Sequence, residues 1–180
     1  MKQSQDHDDY LHLTHIKIRL HSMCDPLRSK REVVFMFEKI VVGVDGSEQS
    51  MNALAIASDL AQKYASKLYL VHSPELESTG IAVGSGAVLI EPEPEAVAEA
   101  GEKVMQAAKK KAEELGLPPT ECIIGNDDPA HEILKCTEKV GADLIVLGRR
   151  GLGGISSLLL GSVSQKVSHD AKCACLTVSH

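Results

Sequence analysis

Residues Lys39–Asp45, KIVVGVD, form a near-continuous β-branched run. A strand that is apolar on both sides has to be covered on both sides, which excludes a half-solvated antiparallel sheet and requires a layer of helix above and below. The same pattern returns in Lys67–His72 (KLYLVH) and Asp143–Gly148 (DLIVLG). Shorter strands are expected at Glu121–Ile124 and Cys173–Val178. Helical spacing of apolar residues fills the intervals: roughly Gln49–Ala65 on Leu54, Ala57, Ala61 and Tyr64, and Glu95–Leu115 on Val97, Val104, Ala108 and Leu115. Pro129–Val140 has a proline in its first turn, and Gly161–Ala171 precedes the last strand. Gly116 and Gly141 close the second and third helices. Pro74 to about Pro94 reads as a long polar loop around a GSG, broken by apolar Ala87–Ile90. Alternating strands and helices give an α/β doubly wound domain, a single parallel sheet with helices on both faces. Ligands of such sheets sit beyond the carboxyl ends of the strands, which draws attention to Asp45, Ser73, Gly125 and Gly148.

Composition changes near Met36. Residues 1–35 hold His7, His12, His15 and His21, half of the eight histidines. They are expected to be a dispensable or poorly ordered extension, with the domain spanning 36–180. His12, His15, His21 and Cys24 lack a regular zinc spacing and a scaffold to fix one. The whole chain carries a net charge of −6, a poor match to the phosphate backbone of nucleic acid. Only 3% of residues are aromatic, which leaves little for stacking bases. No apolar run has membrane-spanning length. The odd cysteine count lacks a disulfide framework. Cys122, Cys136 and Cys175 read as small hydrophobes of a reducing compartment, so the expected location is cytoplasmic.

The most informative segment runs from Gly148 to Ser164 (GRRGLGGISSLLLGSVS), from the end of a buried strand into the first turn of a helix. Gly148 and Gly151 permit close backbone approach. Gly161, Ser162, Val163 and Ser164 open a helix whose free N–H groups suit a phosphate, with Ser162 and Ser164 hydroxyls as further donors. Arg149 and Arg150 place positive charge in an acidic domain. The segment is neither a GxxxxGK[ST] loop nor a dinucleotide fingerprint, since position 156 is serine. Read alone, it fits a phosphate cradle or a glycine-rich surface connector equally.

Gly148-x2-Gly151-x9-Gly161-Ser162 resembles the G-2x-G-9x-G(S/T) motif of the universal stress protein family. KIVVGVDGSEQS, LYLVH, ADLIVLG and LLLGSVSQKVSHDAKCACLTV resemble other segments of the same domain. The resemblance covers about residues 36–180. It implies five strands in the order 3-2-1-4-5, an adenine nucleotide α-hydrolase-like arrangement, and the ATP-binding branch of the family. By matching position, it implies that Gly43, Val44 and Asp45 hold adenosine and that Leu147 and Gly148 lie near adenosine and the phosphates. Arg149, Gly151, Gly161, Ser162, Val163 and Ser164 would surround the phosphates, with Mg²⁺ bridging phosphate oxygens. Ser73 replaces an apolar residue beside the base, which either weakens adenine packing or adds a hydroxyl contact. Gly125–Ala130 is a longer version of the family's Gly-Asp-Pro-Ala turn, and Ala174 replaces a proline. The resemblance also implies an antiparallel homodimer through the last strand, which is uncharged and free of proline; the competing arrangement covers that edge with Ile16–Leu20.

The expected function is a nucleotide-responsive stress module with at most slow hydrolysis. One alternative is a Mg-dependent nucleotide hydrolase or transferase using Asp45 or the Asp127/Asp128 pair. The other is a partner-binding stress protein that takes no nucleotide. Asp127 and Asp128 read as the acidic start of a helix in preference to a metal site. His72 reads as a packed histidine, because no nucleophile motif accompanies it.

Overall fold

The computed structural model describes residues 36–74, 79–83, 86–90, 93–151 and 160–179. The expected extension, residues 1–35, lies outside the described residues, as does most of the glycine-rich loop at 152–159. The elements are β1 (Lys39–Gly43), α1 (Glu48–Tyr64), β2 (Lys67–His72), β3 (Thr79–Val83), β4 (Gly86–Ile90), α2 (Pro94–Glu114), β5 (Glu121–Ile124), α3 (Pro129–Val140), β6 (Leu144–Gly148), α4 (Ser162–Asp170) and β7 (Ala174–Val178). Five strands form a parallel sheet in the order β5-β2-β1-β6-β7. Counted among themselves, these are the expected five strands in the order 3-2-1-4-5.

One expectation is corrected. The segment Pro74 to Pro94, read as a polar loop, contains the antiparallel pair β3–β4, a separate two-stranded sheet with Ile81 opposite Val88. The apolar runs are only five residues each, too short for periodicity to separate strand from loop.

Alternate residues of the sheet feed two cores. Ile40, Val42, Leu68, Leu70, Leu144 and Val146 pack with Ala53, Leu54, Ala57 and Ala61 of α1 and Met105, Ala108 and Ala112 of α2. Val41, Tyr69, Val71, Ile145 and Leu147 pack with Ala130, Ile133 and Cys136 of α3 and Val167 of α4. Alanines on the inward faces of α1 and α2 let both helices lie close to the sheet. Ile40, Val41, Val42, Leu70, Ile145 and Val146 are fully buried, and each such side chain contributes about 1.5–3 kcal/mol. The solvated lysine face of α2 works through exposed pairs such as Lys109–Glu113 and Lys110–Glu114 at 4.0 and 3.9 Å, each worth about 0.5 kcal/mol or less. Burial, not surface charge, holds the layers together.

Cys136 lies within the second core, and burial pushes its thiol up to about 11. Burial also raises Cys173 and Cys175, which are partly covered. Cys122, read in the sequence as a small hydrophobe, is exposed. It sits on β5, which among the described strands pairs only with β2 and lies at the sheet edge.

Helix ends follow the chain's chemistry. Ser47 caps α1 by accepting from Ser50 N, and Asp128 caps α3 by accepting from His131 N. Gly116 and Gly141, past α2 and α3, take positive φ as expected. Ala65 ends α1 in the same left-handed region at φ 53°. A β-carbon there costs about 1–2 kcal/mol, against about 0.4–1 kcal/mol for the extra freedom glycine has when unfolded. Ala65→Gly should therefore raise stability by about 0.5–1 kcal/mol in a urea titration; a destabilised variant would contradict the strain at this cap.

Candidate functional site

The sheet changes direction at β1. From β1 the chain winds outward through β2 to β5, then returns to the other side with β6 and β7. The crevice at the carboxyl ends of β1 and β6 is the place where such a fold leaves room for a ligand. Val44 extends β1 by one bond, donating from N to Val71 O at 2.9 Å. Its own carbonyl accepts from His72 Nδ1 at 2.8 Å, which fixes the proton on Nδ1. His72 is buried; it is a packed histidine that fastens β1 to β2.

The chain then turns at Asp45. Ser47 donates to Asp45 Oδ1 from both N, at 3.0 Å, and Oγ, at 2.6 Å. Ser50 Oγ donates to Ser47 O at 2.9 Å. This ring of short side chains seats the start of α1 and orients the Asp45 carboxylate. Across the crevice, a β-carbon on Gly151 would stand 2.2 Å from Asp45 Oδ2. Asp45 and Gly151 are thus brought together, and a side chain at 151 would displace the Asp45 carboxylate from this position.

The end of β6 is fixed from two sides. Arg149 N donates to Val178 O at 2.6 Å, tying the loop entrance to β7. Arg149 O accepts from Gly161 N at 2.9 Å and from Ser164 Oγ at 2.8 Å. The entrance and exit of the glycine-rich loop therefore meet at one carbonyl. On the α1 side, a β-carbon on Gly148 would come within 3.0 Å of Gln49 C and Ser50 N, both backbone atoms. Gln49 Oε1 accepts from Arg150 N at 3.1 Å. Nothing in the sequence marks Gln49, since a glutamine in a first turn reads as solvated.

Helix α4 opens toward this crevice. Its first internal bond runs from Gln165 N to Gly161 O, so the N–H groups of Ser162, Val163 and Ser164 precede the helical ladder and have no acceptor within it. Gly161, the cap residue, has φ −72° and supplies no capping side chain. A β-carbon there would meet nothing closer than 3.4 Å. Neither backbone strain nor crowding demands glycine at 161; its effect is to leave the helix mouth uncovered. Arg149 Nε is buried and has no hydrogen-bond partner among the described residues.

The remaining residues singled out in the sequence take other positions. Gly43 faces inward, where a β-carbon would stand 2.6 Å from Leu147 Cδ2 and 2.7 Å from Ile133 Cδ1. Val44 and Leu147 are themselves buried in the cores. Ser73 Oγ donates to Asp127 O, and Gly125 N donates to His72 O at 2.7 Å, so the lengthened Gly125–Ala130 turn is fastened to β2. Asp128 accepts from His131 N as the cap of α3 and from Lys166 of α4 at 3.0 Å. The His131 N–H, then Lys166, hold its carboxyl below the ordinary carboxylate range. The Ser164 hydroxyl, expected as a phosphate donor, directs its one proton at the carbonyls of Arg149 and Gly161. Among the described residues no cluster of three or more His, Cys, Asp or Glu could hold a metal ion, and no helix is long and apolar enough to cross a membrane.

A model of the universal stress protein family matches residues 36–179. The chain belongs to this family. It is similar to universal stress protein YxiE of Bacillus subtilis, with 37% identity over 151 residues covering 79% of this chain and 99% of that protein. Among solved structures, it is similar to a universal stress protein in complex with cAMP, at 27% identity and TM-score 0.58, covering 79% of this chain and 96% of the other. Universal stress protein UspA from Lactobacillus plantarum shares the fold, with TM-score 0.63 at 20% identity over 78% of this chain and 97% of that one. The matched residues include the whole crevice of this universal stress protein, from β1 to the start of α4.

Ser164 gives the site its first test. Ser164→Ala removes one hydroxyl shared between the Arg149 and Gly161 carbonyls, a loss of about 1 kcal/mol. Chemical denaturation should read that loss. An unchanged midpoint would show that the hydroxyl does not fasten the loop.

Proposed function

We propose that this universal stress protein binds ATP, with Mg²⁺ carried on the phosphates, and acts as a nucleotide-responsive stress module with slow or no turnover. The observation that carries the reading is the mouth of α4, where three N–H groups without helical acceptors follow a side-chain-free Gly161; Arg149, whose carbonyl accepts from Gly161 N, has a buried Nε with no partner among the described residues. That donor set suits a phosphate, through the helix dipole and charge-assisted hydrogen bonds. The similar universal stress protein in complex with cAMP supports an adenine nucleotide as the ligand class.

In this reading Ser162 and Val163 donate to phosphate through their backbones, and Arg149 supplies charge. Asp45, oriented by Ser47, accepts from a ribose hydroxyl. Gly43, Val44, Leu147 and Gly148 form the wall through their backbones, because the two glycines carry no side chain and those of Val44 and Leu147 pack into the cores. Ser73 acts through the Asp127 turn it holds, and Ser164 through the loop it closes. Mg²⁺ keeps most of its water and takes phosphate oxygens, as that ion prefers. Residues 36–180 supply the whole site, and the free thiols fit a reducing cytoplasm.

Gly161→Val would place a branched side chain over the helix mouth at a position where the backbone tolerates one. Calorimetry should show Mg·ATP binding to the wild type and loss of at least tenfold in affinity for Gly161→Val, with the same melting temperature. Equal affinity in a folded variant would overturn the site assignment. Wild-type turnover should stay below about 1 s⁻¹, the low end for ordinary enzymes; faster hydrolysis favours the Mg-dependent hydrolase.

We further propose a homodimer through β7. Among the described strands β7 pairs only with β6, and its outer edge is an uncharged row of backbone donors and acceptors. Pairing with a second copy about a two-fold axis satisfies that row. Thr177→Pro should shift the dimer toward monomer in light scattering at micromolar concentration: the Val178 carbonyl turns toward β6, so the neighbouring Thr177 N–H lies on the outer edge, and proline there removes an outer ladder donor. A wild-type monomer would contradict the dimer.

A further inference from the structure

We propose that Gln49 is a positioning residue for the nucleotide loop: its side-chain carbonyl holds the Arg150 N–H, and so sets where the Gly148–Gly151 segment stands relative to the mouth of α4. This rests on the nucleotide reading above and adds to it a residue from outside the glycine motif. Gln49 is the second residue of α1, 101 positions from its partner. The bond length is 3.1 Å, and the contact is partly buried.

Three features make this bond a positioning device and not an incidental surface contact. First, Arg150 follows β6, whose last residue is Gly148, so its N–H lies beyond the parallel ladder and needs another acceptor. Second, the backbones of the two segments are already at closest approach, since a β-carbon on Gly148 would stand 3.0 Å from Gln49 C and 3.0 Å from Ser50 N. The Gln49 side chain therefore spans a gap whose width is set by backbone contact, leaving little slack. Third, the neighbouring residues on both sides are fixed: Arg149 by Val178 O, and α1 by the Asp45–Ser47–Ser50 ring. Arg150 N is the point where the loop passes from the sheet toward Gly151, which in turn lies against Asp45.

Removing the acceptor loosens the loop at Arg150 N, while the bonds from Ser47 still hold the Asp45 carboxylate at the ribose end. The phosphate end then loses its preset geometry, and binding has to supply the ordering that Gln49 now provides. The consequence is a split by ligand. Phosphate-bearing nucleotides lose affinity, whereas adenosine does not. Gln49→Glu keeps a side-chain acceptor of the same length, so it keeps the loop in place even though its charge opposes phosphate.

The test uses the full chain in two arms. In the first, amide hydrogen exchange without nucleotide follows Arg150 N–H in wild type, Gln49→Ala and Gln49→Glu. Exchange should be at least tenfold faster in Gln49→Ala and within about threefold of wild type in Gln49→Glu. Equal protection in Gln49→Ala and wild type would overturn the positioning role. In the second, calorimetry compares Mg·ATP with adenosine. Gln49→Ala should weaken Mg·ATP by about tenfold and leave adenosine within twofold. Parallel loss of both ligands, or a drop in melting temperature with unchanged Mg·ATP affinity, would reduce Gln49 to a structural contact and overturn the proposal. A wild type that binds no Mg·ATP would instead overturn the nucleotide reading, and the exchange arm alone would then decide whether Gln49 sets the loop.

Discussion

Strand β1 is hydrogen-bonded along both edges and covered on both faces. Its partners are β2 and β6, in register from Ile40 with Leu68 and Leu144 to Gly43 with Val71 and Leu147. Ile40 and Val42 point into one core and Val41 into the other. This central position forces the connections from β1 and β6 to opposite sides of the sheet, which opens a crevice at their shared carboxyl end. The proposed nucleotide site depends on that crevice.

The crevice is shaped by close contacts. Gly43 leaves room for Leu147 and Ile133, Gly148 for the first turn of α1, and Gly151 for Asp45. Each is a place where a β-carbon would push apart two elements that meet. Gly161 is different, because among the described residues a β-carbon there would meet nothing closer than 3.4 Å. Three glycines thus bring the walls together, and the fourth keeps the helix mouth uncovered. The Arg149 carbonyl, holding both Gly161 N and the Ser164 hydroxyl, closes the loop on itself without using the α4 N–H groups that follow.

Much of this was legible in the chain. The β-branched run Lys39–Asp45 and its returns at Lys67–His72 and Asp143–Gly148 carry the sheet, because burial on both faces leaves no alternative to continuous apolar sequence. Pro129, Gly116 and Gly141 mark helix ends by backbone geometry alone. The hairpin β3–β4 was not legible, since five-residue apolar runs beside glycine, serine and glutamate carry too little periodicity. Cys122 was misread because its apolar neighbours Ile123 and Ile124 say nothing about whether a strand is central or at an edge. At the site, the glycines and the start of α4 could be read from spacing, but the partners of hydroxyls could not. Ser164 and Ser73 look like ligand donors in sequence; in the structure their protons go to the carbonyls of Arg149, Gly161 and Asp127. Gln49 was invisible because its partner lies 101 residues away.

On the nucleotide reading, the N-terminus of α4 receives a phosphate. Two-dimensional ¹⁵N–¹H spectra recorded while Mg·ATP is added to the full chain address it most directly. The largest shifts are predicted at the amides of Ser162, Val163 and Ser164, with smaller ones at Asp45 and Gly151. A titration that leaves those three amides unmoved, whether ATP binds elsewhere or not at all, would contradict the claim.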